Sequence, residues 1–441
     1  MVDNQLDGDG IIPKNANGTL ELHTWRPKLY LDGKLTETER VLAKHDAKMG
    51  LIFEIYLETT SIQDALRTSL QHYESQEFEF GSSKQRYPFL TVSRQSSSKS
   101  KSTKMTCVLT QQPLQVEFFE PIHAVSGNIL NINPSLLLGN VELKTKSAKL
   151  MLSPLNEAAG AYQSATQLNQ DVVITGAFKI TPTSASYNLK KTERDISQVW
   201  RFLRFVTGVD VGLGPWLART KDGKLSAIQP EAGRHDHLQT TDNWANFHSA
   251  RILPDLFDKY QFACKDPETE DALRRAVDFY RASTSARNSA GIEAGIVLAQ
   301  SALELLCEFI LQKHAGWTPE LTNQARGFHS RLAASTRFIG YRADALDHAF
   351  SVRRAYKKKN ISNDFLILTK VRNSISHAKP DVVLDGQQLL DIWNASMFLV
   401  ELHFFFLVDY RGEMRDRRKV DAWFGDTIKV PLESVHNSGT A

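Results

Sequence analysis

The chain has 441 residues, more than the roughly 100–200 of one typical core, so two or three domains are expected. Its formal net charge of +3 is too mild to identify a nucleic-acid partner by itself. Three widely separated cysteines, Cys107, Cys264 and Cys307, argue against a disulfide framework and against a zinc site of paired-cysteine spacing, and fit a reducing cytoplasm.

The opening residues, "MVDNQLDGDGIIPK", are acidic and show no apolar core of a secretory signal. Up to about residue 190, short segments rich in Val, Ile, Thr and aromatics alternate with Gly, Pro, Asn and Ser. "LELHTW", "LIFEIYLET", "CVLTQQPLQVEFF" and "DVVITGAFKI" read as strands. The tract "SRQSSSKSKSTK" at 93–104 has nothing to bury and reads as a surface loop, with a phosphate-grasping arm as the functional alternative. In "TERDISQVWRFLRFVTGVDVG" at 192–212, Ile196, Val199, Trp200, Leu203 and Val206 recur at helical spacing before a glycine stop, predicting a helix and then a short strand. From 213 to 265 the pattern assigns no secondary structure.

Beyond 266 six segments carry helical periodicity. "DPETEDALRRAVDFYRAS" opens with Asp266 as an N-cap and Pro267 at the first helical position. "GIEAGIVLAQSALELLCEFILQK" is apolar around most of its circumference, as the central helix of a bundle is. "TPELTNQARGFHSRLAAST", "DALDHAFSVRRAYKKKN", "SNDFLILTKVRNSISH" and "DGQQLLDIWNASMFLVELHFFFLVDY" follow. The apolar run at 395–408 falls short of the ~20 residues that span a bilayer and contains Glu401 and His403, so a buried helix is expected.

The segment "LTKVRNSISHAKP" concentrates chemistry. Phe365, Leu366, Leu368, Val371 and Ile375 form its apolar stripe, and Pro380 stops the helix just after His377. Asn373 and His377 share a face at i, i+4, whereas Arg372 and His377 diverge by about 140° unless the helix end frays. Imidazole exchanges protons near neutrality and suits a ribose 2′-hydroxyl or a departing 5′-oxygen. Guanidinium holds a phosphate in a two-pronged grip, and Asn373 can orient either group. Such cleavage needs no metal and no cofactor. One imidazole serves poorly on both sides of one phosphorus, so a twofold dimer bringing two motifs together is expected.

The Arg-to-His spacing alone is weak, for it recurs at Arg40/His45 and Arg67/His72. Local charge adds to it: between 353 and 379, Arg353, Arg354, Lys357, Lys358, Lys359, Lys370, Arg372 and Lys379 stand against Asp364 alone. That concentration fits an RNA backbone, with a solvated helix terminus as the plain alternative.

"VRNSISH" resembles the Arg-polar-x-x-x-His signature of HEPN domains, helical bundles that are often dimeric, metal-independent ribonucleases. The order of "VWRFLRFVTGVDV", "LFDKY", "ALRRAVDFYRAS", "GIEAGIVLAQSALELL", the motif helix and "IKVPLES", after a β-rich half, is similar to the Apea-like HEPN group over roughly 190–432. The resemblance implies an α+β chain with three parts: a β-rich N-terminal sensor or regulatory domain at 1–190, a helical connector at 191–265, and an all-α HEPN bundle at 266–432. It implies Arg372, Asn373 and His377 as catalytic residues, with Glu304 supporting Arg372 or forming a bundle salt bridge. It further implies an RNA substrate, transfer RNA among the candidates, and a role in anti-phage defence by abortive infection. The cytoplasm, a homodimer or higher homo-oligomer, no membrane, and a phage-derived trigger complete the expectation. The rival is a non-catalytic module that dimerises or holds RNA, with Arg372 and Glu304 as structure.

His329 and His348 lie near basic residues and read as core histidines or as lining of an RNA groove. "HDH" at 235–237 and His248 lack matching metal-ligand spacing. "RGEMRDRRK" at 411–419 reads as an extension of the basic surface or as a segment that merely keeps the chain soluble. No Walker motif, G-x-G-x-x-G turn or G-x-S-x-G elbow occurs in a suitable setting.

Overall fold

A computed structural model describes the strand backbone within residues 19–117 and most of residues 122–433. Outside the described residues lie 134–135, 137–138, 156–157, 168–172, 223–224, 230–242, 246–248, 326, 378–381 and 420–425. The chain is α+β, with sheets first and helices after. It divides into two compact units, one made of 1–134, 142–198 and 211–238, the other of 135–141, 199–210 and 239–441.

The first unit carries two antiparallel sheets. The larger uses β1 (Thr19–Leu20), β2 (Lys28–Leu31), β3 (Lys34–Thr36), β4 (Arg40–Asp46), β5 (Gly50–Glu58), β6 (Gln76–Glu79), β7 (Arg86–Ser97) and β8 (Ser102–Leu109). Its order is β1-β4-β5-β8-β7-β6-β2-β3. The second uses β9 (Val116–Glu117), β10 (Ala124–Leu130), β11 (Val141–Lys144), β12 (Ala148–Pro154), β13 (Ile174–Pro182), β14 (Gly212–Arg219) and β15 (Leu225–Gln229). Its order is β11-β12-β13-β10-β14-β15-β9. In β12, Ala148, Leu150 and Leu152 are buried while Lys149 is exposed, the period-2 alternation of a strand with one covered face.

Two expectations are corrected here, and a stretch left without assignment is filled. The Ser/Lys tract does not read out as a loop over its length, because Ser96 pairs with Thr103 and Ser97 with Ser102 as the ends of β7 and β8. Backbone pairing needs no apolar side chain, so composition hid it. A helix, α1 (Ala158–Gln167), interrupts the strand-rich half. Its alanine-rich sequence favours a helix by propensity while offering no apolar stripe to detect. The unassigned 213–265 stretch holds β14, β15 and α3 (Ser249–Ala263). "LELHTW" lies largely outside the described residues.

Helix α2 (Leu189–Thr207) starts where the Asn188 side chain accepts from Lys191 N at 3.1 Å. It ends at Gly208, whose φ of 70° continues no right-handed helix. Asn243 finishes the terminus, its amide donating to the Val206 and Thr207 carbonyls at 2.9 and 2.8 Å. In the second unit Phe202, Phe205, Phe257 and Trp244 are buried, with Phe205 edge-on to Phe404 at 5.1 Å and Trp244 to Phe405 at 5.0 Å. Such a ring contributes roughly 2–3 kcal/mol on burial.

The helical region runs α4 (Pro267–Ser289), α5 (Ile292–Lys313), α6 (Pro319–Gln324), α7 (Phe328–Phe338), α8 (Phe350–Lys357), α9 (Asp364–His377) and α10 (Gly386–Leu407), then a small pair, β16 (Glu413–Met414) with β17 (Ile428–Lys429). Asp266 caps α4 by accepting from Thr269 N at 3.1 Å. Asp385 and Gln388 form a reciprocal capping box on α10 at 2.8 and 3.0 Å. The segment from Thr318 to Thr336 is two helices, because Gly327 takes φ 80°. The 344–360 segment is helical only over α8, since the Asp364 carboxylate captures Leu346 N at 2.9 Å and holds 345–348 in a turn.

α5 and α10 are each 22 residues long and apolar enough, by length and composition, to cross a membrane. The expectation that the 395–408 run is too short is therefore corrected: it is the end of a longer helix. In the bundle both helices are mostly buried by protein, and Glu401 and His403 on α10 are 0% exposed.

A Cβ at Gly208 would lie 2.9 Å from the Tyr280 ring in addition to its positive φ. Gly208→Ala is expected to lower stability by about 2 kcal/mol, read as a fall of several degrees in Tm by calorimetry.

Candidate functional site

α9 begins with Asn363, whose side chain accepts from Leu366 N at 2.9 Å. Its buried face is Asp364, Ile367, Leu368 and Val371, the i, i+3, i+4, i+7 set of one helical stripe. Leu368 and Val371 match the expected stripe, whereas Phe365, Leu366 and Ile375 are only half-buried. Gln300 of α5 donates to the Leu368 carbonyl at 2.8 Å and fixes the two helices side by side.

That register sets Arg372 beside the central helix. Its Nη2 lies 3.2 Å from Glu304 Oε2, and its guanidinium stands 6.0 Å from the centre of the Phe328 ring. The other oxygen of the same carboxylate accepts from Arg331 Nη2 of α7 at 3.0 Å. One carboxylate on α5 thus holds an arginine from α7 and an arginine from α9. Arg331 is the residue that sequence spacing passed over. It lies in "GFHSRL", two residues after His329, but its partnership with Arg372 crosses helices and leaves no local signature.

Asn373 and His377 are exposed. The helix stays regular through His377, so the fraying that would swing this imidazole toward Arg372 is absent over the described residues. The side chains leave the axis about 140° apart, and the structure groups Arg372 with Glu304 and Arg331 rather than with His377. Among the described residues no cluster of His, Cys, Asp or Glu could hold a metal ion.

The basic candidates divide. Arg354, Lys357 and Lys358 are exposed at the end of α8, as is Lys359. Arg353, 35% exposed, pairs with two carboxylates, Asp344 at 2.9 Å and Asp364 at 3.2 Å. Asp364 is itself pushed upward by burial, with the Leu346 N–H and Arg353 opposing. Lys370 is half-buried and partnered, and Lys379 lies outside the described residues. "RGEMRDRRK" is not a basic surface either. Arg415, Asp416 and Arg417 are buried, and Arg418 is shared among Asp416, Asp347 and Tyr341 at 2.9 Å. His348 sits 3.7 Å from Asp347 and from Asp416, facing carboxylates rather than an RNA groove. His329 is half-buried, while "HDH" and His248 lie outside the described residues.

One cluster mimics a nucleophilic site. His403 Nε2 is 2.9 Å from Ser335 Oγ and 3.6 Å from Cys307 Sγ, all fully buried. Its Nδ1 lies 2.7 Å from the Leu399 carbonyl, which makes Nδ1 the protonated nitrogen and Nε2 the acceptor for the Ser335 hydroxyl. Burial pushes the thiol up to about 12 and the imidazole down to about 4. A neutral thiol and an imidazole without access to substrate have no nucleophilic role, and the trio is a hydrogen-bonded core contact. An open groove of about 970 Å³ between α4 and α5 is walled by Glu268, Asp271, Glu304 and Glu308 against Arg275 and Lys313. Its sign repels a phosphate backbone.

Residues 266–430 match the family model described as the YopA C-terminal domain, a stretch below half of the chain that spans α4 to β17. No curated protein and no solved structure matches the chain.

For His403 the folded value of about 4 lies below the ordinary 6.5, so the unfolded chain takes the proton first. Stability contributed by the neutral ring is complete above pH 6.5 and is lost as pH falls toward 4, by about 3 kcal/mol in all. Urea melts at pH 7 and 4.5 are expected to differ less for His403→Gln than for the unsubstituted protein.

Proposed function

We propose that this chain is a metal-independent endoribonuclease of the HEPN type. It works in the cytoplasm as a homodimer and cleaves RNA, with transfer RNA among its candidate substrates. Its biological role is abortive infection against phage, with the β-rich half as the sensor of a phage-derived trigger. The observation that carries the reading is the last turns of α9: Arg372 is braced on Glu304 while Asn373 and His377 stand open to solvent on the same helix.

In this reaction the ribose 2′-oxygen forms a bond to phosphorus and the bond from phosphorus to the 5′-oxygen breaks. An imidazole takes the 2′-hydroxyl proton, and a second imidazole delivers a proton to the departing 5′-oxygen. Arg372 holds the phosphate and offsets the charge that builds on its oxygens. The products end in a 2′,3′-cyclic phosphate and a 5′-hydroxyl. Because one imidazole serves poorly on both sides of one phosphorus, the second comes from another copy, which makes a dimer part of the chemistry. The exposed Arg354, Lys357 and Lys358 are suited to hold RNA beyond the scissile phosphate.

The rival reading is a non-catalytic module in which the bundle dimerises or holds RNA. The ion pair from Arg372 to Glu304 favours it, since a half-buried arginine with a carboxylate partner also serves packing.

Purified protein incubated with total RNA and with transfer RNA discriminates the two. His377→Ala is expected to reduce cleavage by a factor on the order of 10²–10⁴ with Tm unchanged. Arg372→Ala lowers cleavage as well, and EDTA leaves the rate as it was. Cleavage that survives both substitutions removes the assigned site; a lowered Tm with no cleavage at any stage supports the binding module.

A further inference from the structure

Arg331 takes no part in the scheme above, yet it shares a carboxylate with the arginine that does. Glu304 carries one negative charge and faces two guanidiniums, at 3.0 Å from Arg331 and 3.2 Å from Arg372. Counted over these three side chains, which come from three different helices, one positive charge is in excess. Two cations drawn to one carboxylate repel each other, and a second anion on their other side would offset that repulsion.

The donors for such an anion are present. Each guanidinium has five N–H groups in a planar fork, and each shows one contact to Glu304. The side chains are 18% and 26% exposed, so both reach solvent without being swept freely by it. Arg372 is further braced against Phe328, which lies three residues before Arg331 on the same helix. The Gln300 bond to α9 and the placing of Phe328 and Arg331 on α7 bring the two arginines to one carboxylate. A preset pair of guanidinium forks matches a phosphodiester, and matches still better the doubly charged phosphorane formed when the 2′-oxygen adds.

We propose that Arg331 is a second phosphate-holding residue of the site, gripping the scissile phosphodiester of RNA beside Arg372, with Glu304 as the strut between them. Only the identity of the substrate rests on the ribonuclease reading. The pair itself is a site for a phosphodiester anion whether or not cleavage follows. Lys or Gln at position 331 does not replace the fork, because an ammonium offers a point charge and an amide offers none.

The test measures binding and cleavage separately. An uncleavable 2′-O-methyl oligoribonucleotide reports binding by fluorescence anisotropy across a salt titration, and its unmodified counterpart reports cleavage. Arg331→Ala and Arg331→Gln, the latter able to keep a hydrogen bond to Glu304, are compared with the unsubstituted protein, with Tm measured alongside. Both substitutions are expected to weaken binding by about tenfold and to reduce the salt slope by about one, which a purely structural arginine would not do. Cleavage falls about a hundredfold or more, the loss typical of one donor to a developing oxyanion. Arg331→Lys retains the salt slope and most of the binding but not the rate. The proposal is overturned if folded Arg331→Gln binds with unchanged affinity and slope, or if the unsubstituted protein binds no oligoribonucleotide. If the protein cleaves in a His377-dependent way and Arg331→Gln cleaves equally well, the proposal fails while the ribonuclease reading stands. If nothing is cleaved but the slope still depends on Arg331, the ribonuclease reading fails and the anion site remains.

Discussion

Everything in the helical region is organised around a buried charge. Glu401 sits in the middle of α10 with no exposed surface, and an isolated carboxylate there would cost many kcal/mol. It is held by Arg417 at 2.7 Å and by the Tyr280 hydroxyl at 2.7 Å, although burial still draws its carboxyl upward. Arg417 is likewise 0% exposed and lies over Trp393 at 4.5 Å, while Arg418 covers Phe398 at 3.8 Å. This pairing fixes α4, α10 and the segment after α10 against one another. α5 packs on both helices, with Trp393 at 3.0 Å from where a Cβ on Gly295 would stand. The position of Glu304 follows from that packing.

Along the contact between α5 and α7, polarity is layered. Cys307, Ser335 and His403 form a dry layer in which the imidazole is neutral and the thiol keeps its proton. One turn away, Glu304 and Arg331 meet Arg372 in a half-buried layer. Beyond it, Asn373 and His377 face solvent. Ion pairs gain strength with partial burial while ligands still reach them, so the half-buried layer is where guanidinium groups act most effectively on an anion.

The legible parts of the sequence were local. Asp266 followed by Pro267 announced the start of α4, and the apolar circumference of α5 announced a central helix. Glu304 was singled out beside Arg372, and the two do meet. What escaped was non-local. Arg331 and Arg372 are brought together by helix packing alone, and no spacing encodes that. Arg417 was assigned to a solvated surface because its neighbours are charged, yet the buried Glu401 required a cation and drew it inward. Arg353, which composition counts with the basic run, pairs with Asp344 and Asp364 on either side of it in the chain. In β7 and β8, the serine and lysine composition concealed strands that are joined by their backbones.

The sequence distance between Glu401 and Arg417 bears on how the molecule is made. A growing polypeptide that has emerged only as far as Leu407 already contains α4 through α10, but its central carboxylate has no guanidinium. If α10 docks before the segment that follows it folds, Glu401 has the Tyr280 hydroxyl as partner and burial favours the protonated carboxyl. The buried ion pair is complete only once Arg417, 16 residues after Glu401, has been made.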